Sequence, residues 1–166
     1  MPDLRKNAKG AVVIDDRYSP LVIATFMGET DLELGRWFAD LNKKIVLQHA
    51  ASGRRMVSIC DATLATKPTP DMRRFWAEFS NSTTQTMKDA TLATFLVMTS
   101  PLLRGAITAI GWLSPALRDL ESFSTLDEAV REAKVRLAHA GTPIAQLLGS
   151  YELPELGVKA RSALGA

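Results

Sequence analysis

Along the 166-residue chain the apolar and polar positions change period several times, and each change marks a boundary. Residues 1–10 are polar and charged and read as a flexible arm. Val12, Val13 and Ile14 then open a β-rich stretch. Asp15, Asp16, Ser19 and Pro20 supply turn chemistry, and Leu21 to Met27 returns to β-formers. Two such runs around a short turn predict an antiparallel hairpin. After Gly28 the period becomes helical, with Leu34, Trp37, Phe38, Leu41 and Ile45 on one face. Thr30 and Glu33 have the T-x-x-E spacing of a capping box, so a helix is predicted over 31–50, stopped by Ser52 and Gly53.

Met56 to Asp61 predicts a third strand, followed by a threonine-rich loop from Ala62 to Thr69. Thr69–Pro70 offers an N-cap oxygen followed by a proline at the first helical position. Met72, Phe75, Trp76 and Phe79 mark the apolar face of a helix expected to continue through the polar stretch 80–86. Leu92 to Thr99 predicts a fourth strand. Ser100–Pro101 repeats the cap-and-proline start, with Leu103, Ala106, Ile107 and Ile110 facing inward. A short edge strand is expected within 117–123. Thr125 and Glu128 form a second capping box, opening a helix that carries Leu126, Val130, Ala133, Leu137 and Ala140 and closes at Gly141. Thr142–Pro143 starts a short helical segment to Leu148, and 149–166 reads as a tail.

The order β-β-α-β-α-β-α-β-α predicts an α/β fold: a mainly parallel mixed sheet of four or five strands with an N-terminal β-hairpin, covered by about four helices. The domain is expected over 11–141, with the arm 1–10 before it and a short helix and tail, 142–166, after it.

Composition narrows the function classes. Hydrophobic residues make up 46% and charged residues 23%, which suits a globular core. The 20 basic and 18 acidic residues leave a net charge of +2, with no concentrated basic run to suggest nucleic acid. Cys60 is the only cysteine, so an intramolecular disulfide is excluded and a reducing compartment is favoured. The first ten residues lack the apolar core of a signal peptide, and no apolar run reaches the length needed to span a bilayer. A cytoplasmic protein is expected. With one cysteine and two distant histidines, His49 and His139, no metal cluster emerges. No Walker or G-x-G-x-x-G pattern occurs, so no cofactor is expected. Each histidine lies late in a helix, where a cation suits the dipole.

Three stretches carry a family resemblance: Met56-Val-Ser-Ile-Cys-Asp61, Thr94-Phe-Leu-Val-Met98 with its following helix, and Ser122-Phe-Ser-Thr-Leu-Asp-Glu-Ala129. From about Ala11 to Ala140 the chain resembles the STAS family of sulfate transporters and anti-sigma-factor antagonists. It looks most like the bacterial group related to a sporulation anti-sigma-factor antagonist. The resemblance implies a non-enzymatic regulatory module with a protein partner, in a bacterium, and leaves a homodimer open. In the family's regulatory members a phosphorylatable serine follows the aspartate-ending strand. Here that place holds Thr63, Thr66 and Thr69, with no Asp-Ser pair. A related lipid-transfer fold shares some topology, which keeps an apolar ligand in view.

In open α/β sheets ligands gather beyond the carboxyl ends of the parallel strands. The candidate rim therefore comprises Asp61, Thr63, Thr66, Lys67, Thr69, Ser100 and Arg104, with the helix starts at Thr69 and Ser100 directing amides outward. This rim suits a partner protein, a phosphate or carboxylate, or phosphorylation at Thr66 or Thr69. The competing reading is structural: Thr69 and Ser100 cap helices, Lys67 is solvated, and Asp61 bonds nearby amides. Asp61 as a base in a small enzyme is a further alternative. Trp37 and Trp76 are read as core, as the walls of an apolar pocket between sheet and helices, or as a dimer contact.

Overall fold

The computed structural model describes residues 1–101, 105, 107–108, 114, 120–144, 146–147 and 149–165. Its sheet has six strands: β1 (Asp3–Lys6), β2 (Gly10–Asp15), β3 (Leu21–Gly28), β4 (Met56–Ala65), β5 (Thr91–Val97) and β6 (Glu121–Phe123), side by side in chain order. β1, β2 and β3 pair antiparallel. From β3 to β6 every pairing is parallel. The sheet is thus mixed and mainly parallel, as the pattern predicts. It has one strand more, because residues 3–6 are not an arm: Leu4 lies opposite Val13 and Arg5 opposite Val12.

β2 and most of β3 are buried on both faces, which explains their nearly unbroken apolar runs. One face presents Val12, Ile14, Val22, Ala24 and Phe26 to α1 (Leu32–Ala51), α2 (Pro70–Asn81) and α3 (Gln85–Ala90). The opposite face presents Leu21, Ile23, Val57, Ile59, Phe95 and Val97 to α4 (Leu126–His139). Beside α4, α5 (Glu155–Ala163) brings Ala160 onto Ala11, Val13 and Met27. Part of the expected tail, Glu155–Ala163, is therefore a helix packed on the sheet. No described residue of 142–148 is helical, unlike the short helix expected there. Arg136 fastens α4 to the edge strand by a two-pronged bond to Glu121, 2.7 Å on each side.

Two local expectations need correction. The cap of α1 is Asp31, not Thr30: Asp31 accepts from the Leu34 amide at 2.9 Å and from Asn7 at 2.7 Å. Its neighbour Glu33 bonds Arg5 of β1 at 2.5 Å. The second capping box, at Thr125 and Glu128, is present as predicted. The helix after Thr69 does not run through 80–86. It stops at Asn81, where the Ser82 hydroxyl bonds the Phe79 carbonyl, and restarts at Thr84, which caps α3. Short polar side chains compete there for the backbone's own bonds. The helix expected after Ser100 falls mostly outside the described residues.

Candidate functional site

Because β3, β4 and β5 run in one direction, the segments that follow them leave the sheet at one end. Gly28 closes β3 with a φ of 63°, and a Cβ there would stand 2.2 Å from the Lys9 carbonyl oxygen, so only glycine fits. α1 starts just beyond it. The loop 66–69 leads from β4 to α2, and Ser100 follows β5. This end is the rim the sequence singles out.

Asp61 does not end its strand. β4 continues to Ala65, and Asp61 sits between Thr25 of β3 and Val97 of β5. From Asp61 to Leu64 β4 takes three steps while β3 takes two, from Thr25 to Met27, so β4 carries one extra residue. Asp61 holds this bulge: its Oδ1 accepts from the Thr63 amide at 3.0 Å and from the Thr63 hydroxyl at 2.7 Å. The carboxylate is buried, and the buried hydroxyl of Thr25, its neighbour on β3, has no hydrogen-bond partner among the described residues.

Further along, the Thr66 amide and hydroxyl both donate to the Gly28 carbonyl, at 2.9 and 3.2 Å. The Thr69 hydroxyl accepts from the Met72 amide at 3.3 Å and caps α2. Both threonines are exposed, as is Lys67, which forms no ion pair among the described residues. Ser100 is partly buried just past β5, and Arg104 lies outside the described residues. The structure thus joins Asp61 to Thr63 and ties Thr66 to the end of β3, while Thr69 serves its own helix.

Asp61 spends one oxygen on its own strand. Cys60, next to it, packs with Ala62 and Ile107 against Leu96 and Met98 on the other face. Loss of hydration, helped by Asp61, pushes its thiol up to about 12. A nucleophilic cysteine needs the opposite shift. His49 is not a surface charge at a helix end: it is buried, its Nδ1 bonded to the Ile45 carbonyl and its Nε2 to the Ser19 hydroxyl, each at 2.9 Å. Nor is the space between the sheet and α2 left open. Trp76 packs edge-on against Phe26 at 6.0 Å and Phe38 at 5.6 Å. Trp37 lines an open groove on the outside of α1.

Sequence reasoning missed a cluster at the opposite end of the sheet, having taken Asp15 for turn chemistry. Asp15 is wholly buried and holds Arg17 through both oxygens, at 2.8–3.1 Å. Arg17 also reaches the Glu152 carbonyl at 3.1 Å. This bonding raises the guanidinium above its ordinary range. Tyr151 packs edge-on against Tyr18, and burial raises its phenol as well. The available signal was an aspartate closing an apolar strand with an arginine two residues later.

No protein-family model matches the chain, and no curated protein matches it. Solved structures do. An anti-sigma factor antagonist from Mycobacterium paratuberculosis superposes with a TM-score of 0.52 at 12% identity, over 79% of this chain and 94% of that one. An uncharacterized protein of the DUF3478 family from Shewanella loihica, described as having a SpoIIAA-like fold, superposes with a TM-score of 0.51 at 14% identity, over 78% of this chain and 98% of that one. The chain therefore has the STAS-like fold seen in these structures.

Proposed function

We propose that the chain is a non-enzymatic regulatory module that binds a protein partner through the loop 66–69 and the start of α2, in a bacterial cytoplasm. The observation that carries this reading is the fold, which aligns with nearly the whole of an anti-sigma factor antagonist. The rim supports it. Thr66, Lys67 and Thr69 are exposed, and the bonds of the two hydroxyls stay within the rim, so a partner can cover them without disturbing the core. A phosphate on Thr69 would add close to two negative charges where the first turn of α2 presents its amides. On Thr66 it would remove the hydroxyl proton that is donated to the Gly28 carbonyl, and that bond would be lost.

The test compares proteins retained from a bacterial lysate by the wild-type chain and by a Thr66→Glu/Lys67→Glu/Thr69→Ala variant with an unchanged circular dichroism spectrum. A protein held by the first and lost from the second is expected. Equal retention, or none by either, sinks the reading. Analytical ultracentrifugation of the same two proteins tests whether that partner is a second copy.

A further inference from the structure

The last stretch of the chain is held unevenly. Ile144 and Leu147 are buried with α4 against the sheet, and Tyr151 packs against that cluster. Tyr151 also meets Tyr18 edge-on at 6.2 Å, and Arg17 donates to the Glu152 carbonyl at 3.1 Å. α5 begins just after, and no such tie follows. Pro154 gives it no side-chain cap. Among the described residues its ion pair, Lys159 with Glu155, and its backbone bonds stay within 154–165. It buries only Gly157 and Ala160. Gly157 lies against Leu153 of its own segment, where a Cβ would stand 2.7 Å from the Leu153 Cγ. Seating on the sheet therefore falls to Ala160, helped by the half-buried Leu164. Leu156 and Val158 are exposed.

The surface that α5 covers is apolar. Ala160 and Leu164 cluster with Ala11 and Val13 of β2, Met27 of β3, Leu4 of β1 and Leu64 of β4. Strand pairing sets Leu4 opposite Val13, Ala11 opposite Met27 and Met27 opposite Leu64, so the five strand residues form one strip across one face of the sheet. A helix of nine residues is too short to persist alone in water, so α5 is helical only while seated. Its seat is small, and segments with few buried apolar contacts open at lower cost than the whole domain.

We propose that α5 is a hinged cover. It leaves the sheet as a unit, turning about Leu153 and Pro154, while Tyr151 and Glu152 stay anchored. The strip from Leu4 to Leu64 is then exposed in a domain that is otherwise folded. Among the described residues, no hydrogen bond or ion pair to another element has to break. α5 opens whether or not the rim takes a partner, so the inference stands apart from the rim reading.

Hydrogen–deuterium exchange of the full chain, read by NMR, tests this. The amides of 158–164 are expected to exchange together, about a hundredfold or more faster than those of β3 and α1, as for an opening smaller than global unfolding. Ala160→Glu places a charge on the seat and is expected to hold the cover open. Protection over 158–164 is then lost while β3 and α1 keep theirs. The nuclear Overhauser contact between the Tyr18 and Tyr151 rings persists, and 8-anilinonaphthalene-1-sulfonate gains fluorescence on the bared strip. Leu156→Glu, at an exposed position of the same helix, is expected to behave as the wild type does. Exchange of 158–164 at the rate of β3 in the wild type would overturn the proposal. So would an Ala160→Glu chain that fails to fold or loses protection throughout the sheet, because α5 would then be part of the core. Loss of the Tyr18–Tyr151 contact in that variant, or no gain in dye fluorescence, would overturn it as well.

Discussion

Asp15 and Asp61 are both buried on the sheet, the first at its amino end and the second toward its carboxyl end, and their partners differ in reach. Asp15 draws in Arg17, and Arg17 draws in the backbone at Glu152, 135 residues away in sequence. Nearby, Ser19 binds His49 of α1, and Tyr18 meets Tyr151. Three distant segments are tied at that end. Among the described residues Asp61 reaches only Thr63, two residues on, and Thr66 and Thr69 bond only backbone within the rim. Long-range ties make one end part of the framework. Local satisfaction leaves the other end able to exchange water for a partner at small structural cost.

The largest test of this contrast is Arg17→Met. It strips a wholly buried carboxylate of its counter-charge, and should cost about 3 kcal/mol in urea unfolding, toward the low end for such losses because 38% of the Arg17 side chain is solvent-exposed. Asp61→Ala leaves the Thr63 amide unpaired and should cost about 1.5 kcal/mol. If the second equals or exceeds the first, the two ends are not distinct in the way described.

A smaller effect sharpens the picture where the rim meets α1. Asp31→Ala should cost about 1 kcal/mol at neutral pH through the lost cap, whereas Thr30→Ala should change stability by less than about 0.5 kcal/mol. The Leu34 amide, and then Asn7, hold the Asp31 carboxyl below its ordinary 3.8. A lowered folded-state value means that the unfolded chain takes up the proton first as pH falls. The cap's contribution is therefore full above about 3.8 and fades as pH drops through the folded value. Acid titration of stability should show this step in wild type and not in Asp31→Ala. The smallest effect belongs to Thr66→Ala and Lys67→Glu, each expected to shift stability by less than about 0.5 kcal/mol while weakening partner capture.

Much of this molecule is legible locally. Alternation of two in Met56–Asp61 and of three to four in Leu34–Ile45 depends only on neighbours along the chain, so the strands, the faces of α1 and α4, and the caps at Thr69 and Thr125 follow from sequence. That the segments after β3, β4 and β5 leave the sheet at one end follows too, once the strands are parallel. Other features depend on residues far apart. Residues 3–6 are too few and too charged to announce a strand, and become one only because β2 offers an edge. The same T-x-x-E spacing caps a helix at Thr125 but not at Thr30, because Arg5 of β1 engages Glu33 and Asn7, just past β1, engages Asp31. The bulge at Asp61, the burial of Asp15 and the seating of α5 on β2 likewise arise only when separate segments meet. Sequence periodicity decides which face of an element is apolar. Tertiary packing decides which polar groups find distant partners, and so which aspartate becomes framework and which lies beside an exposed rim.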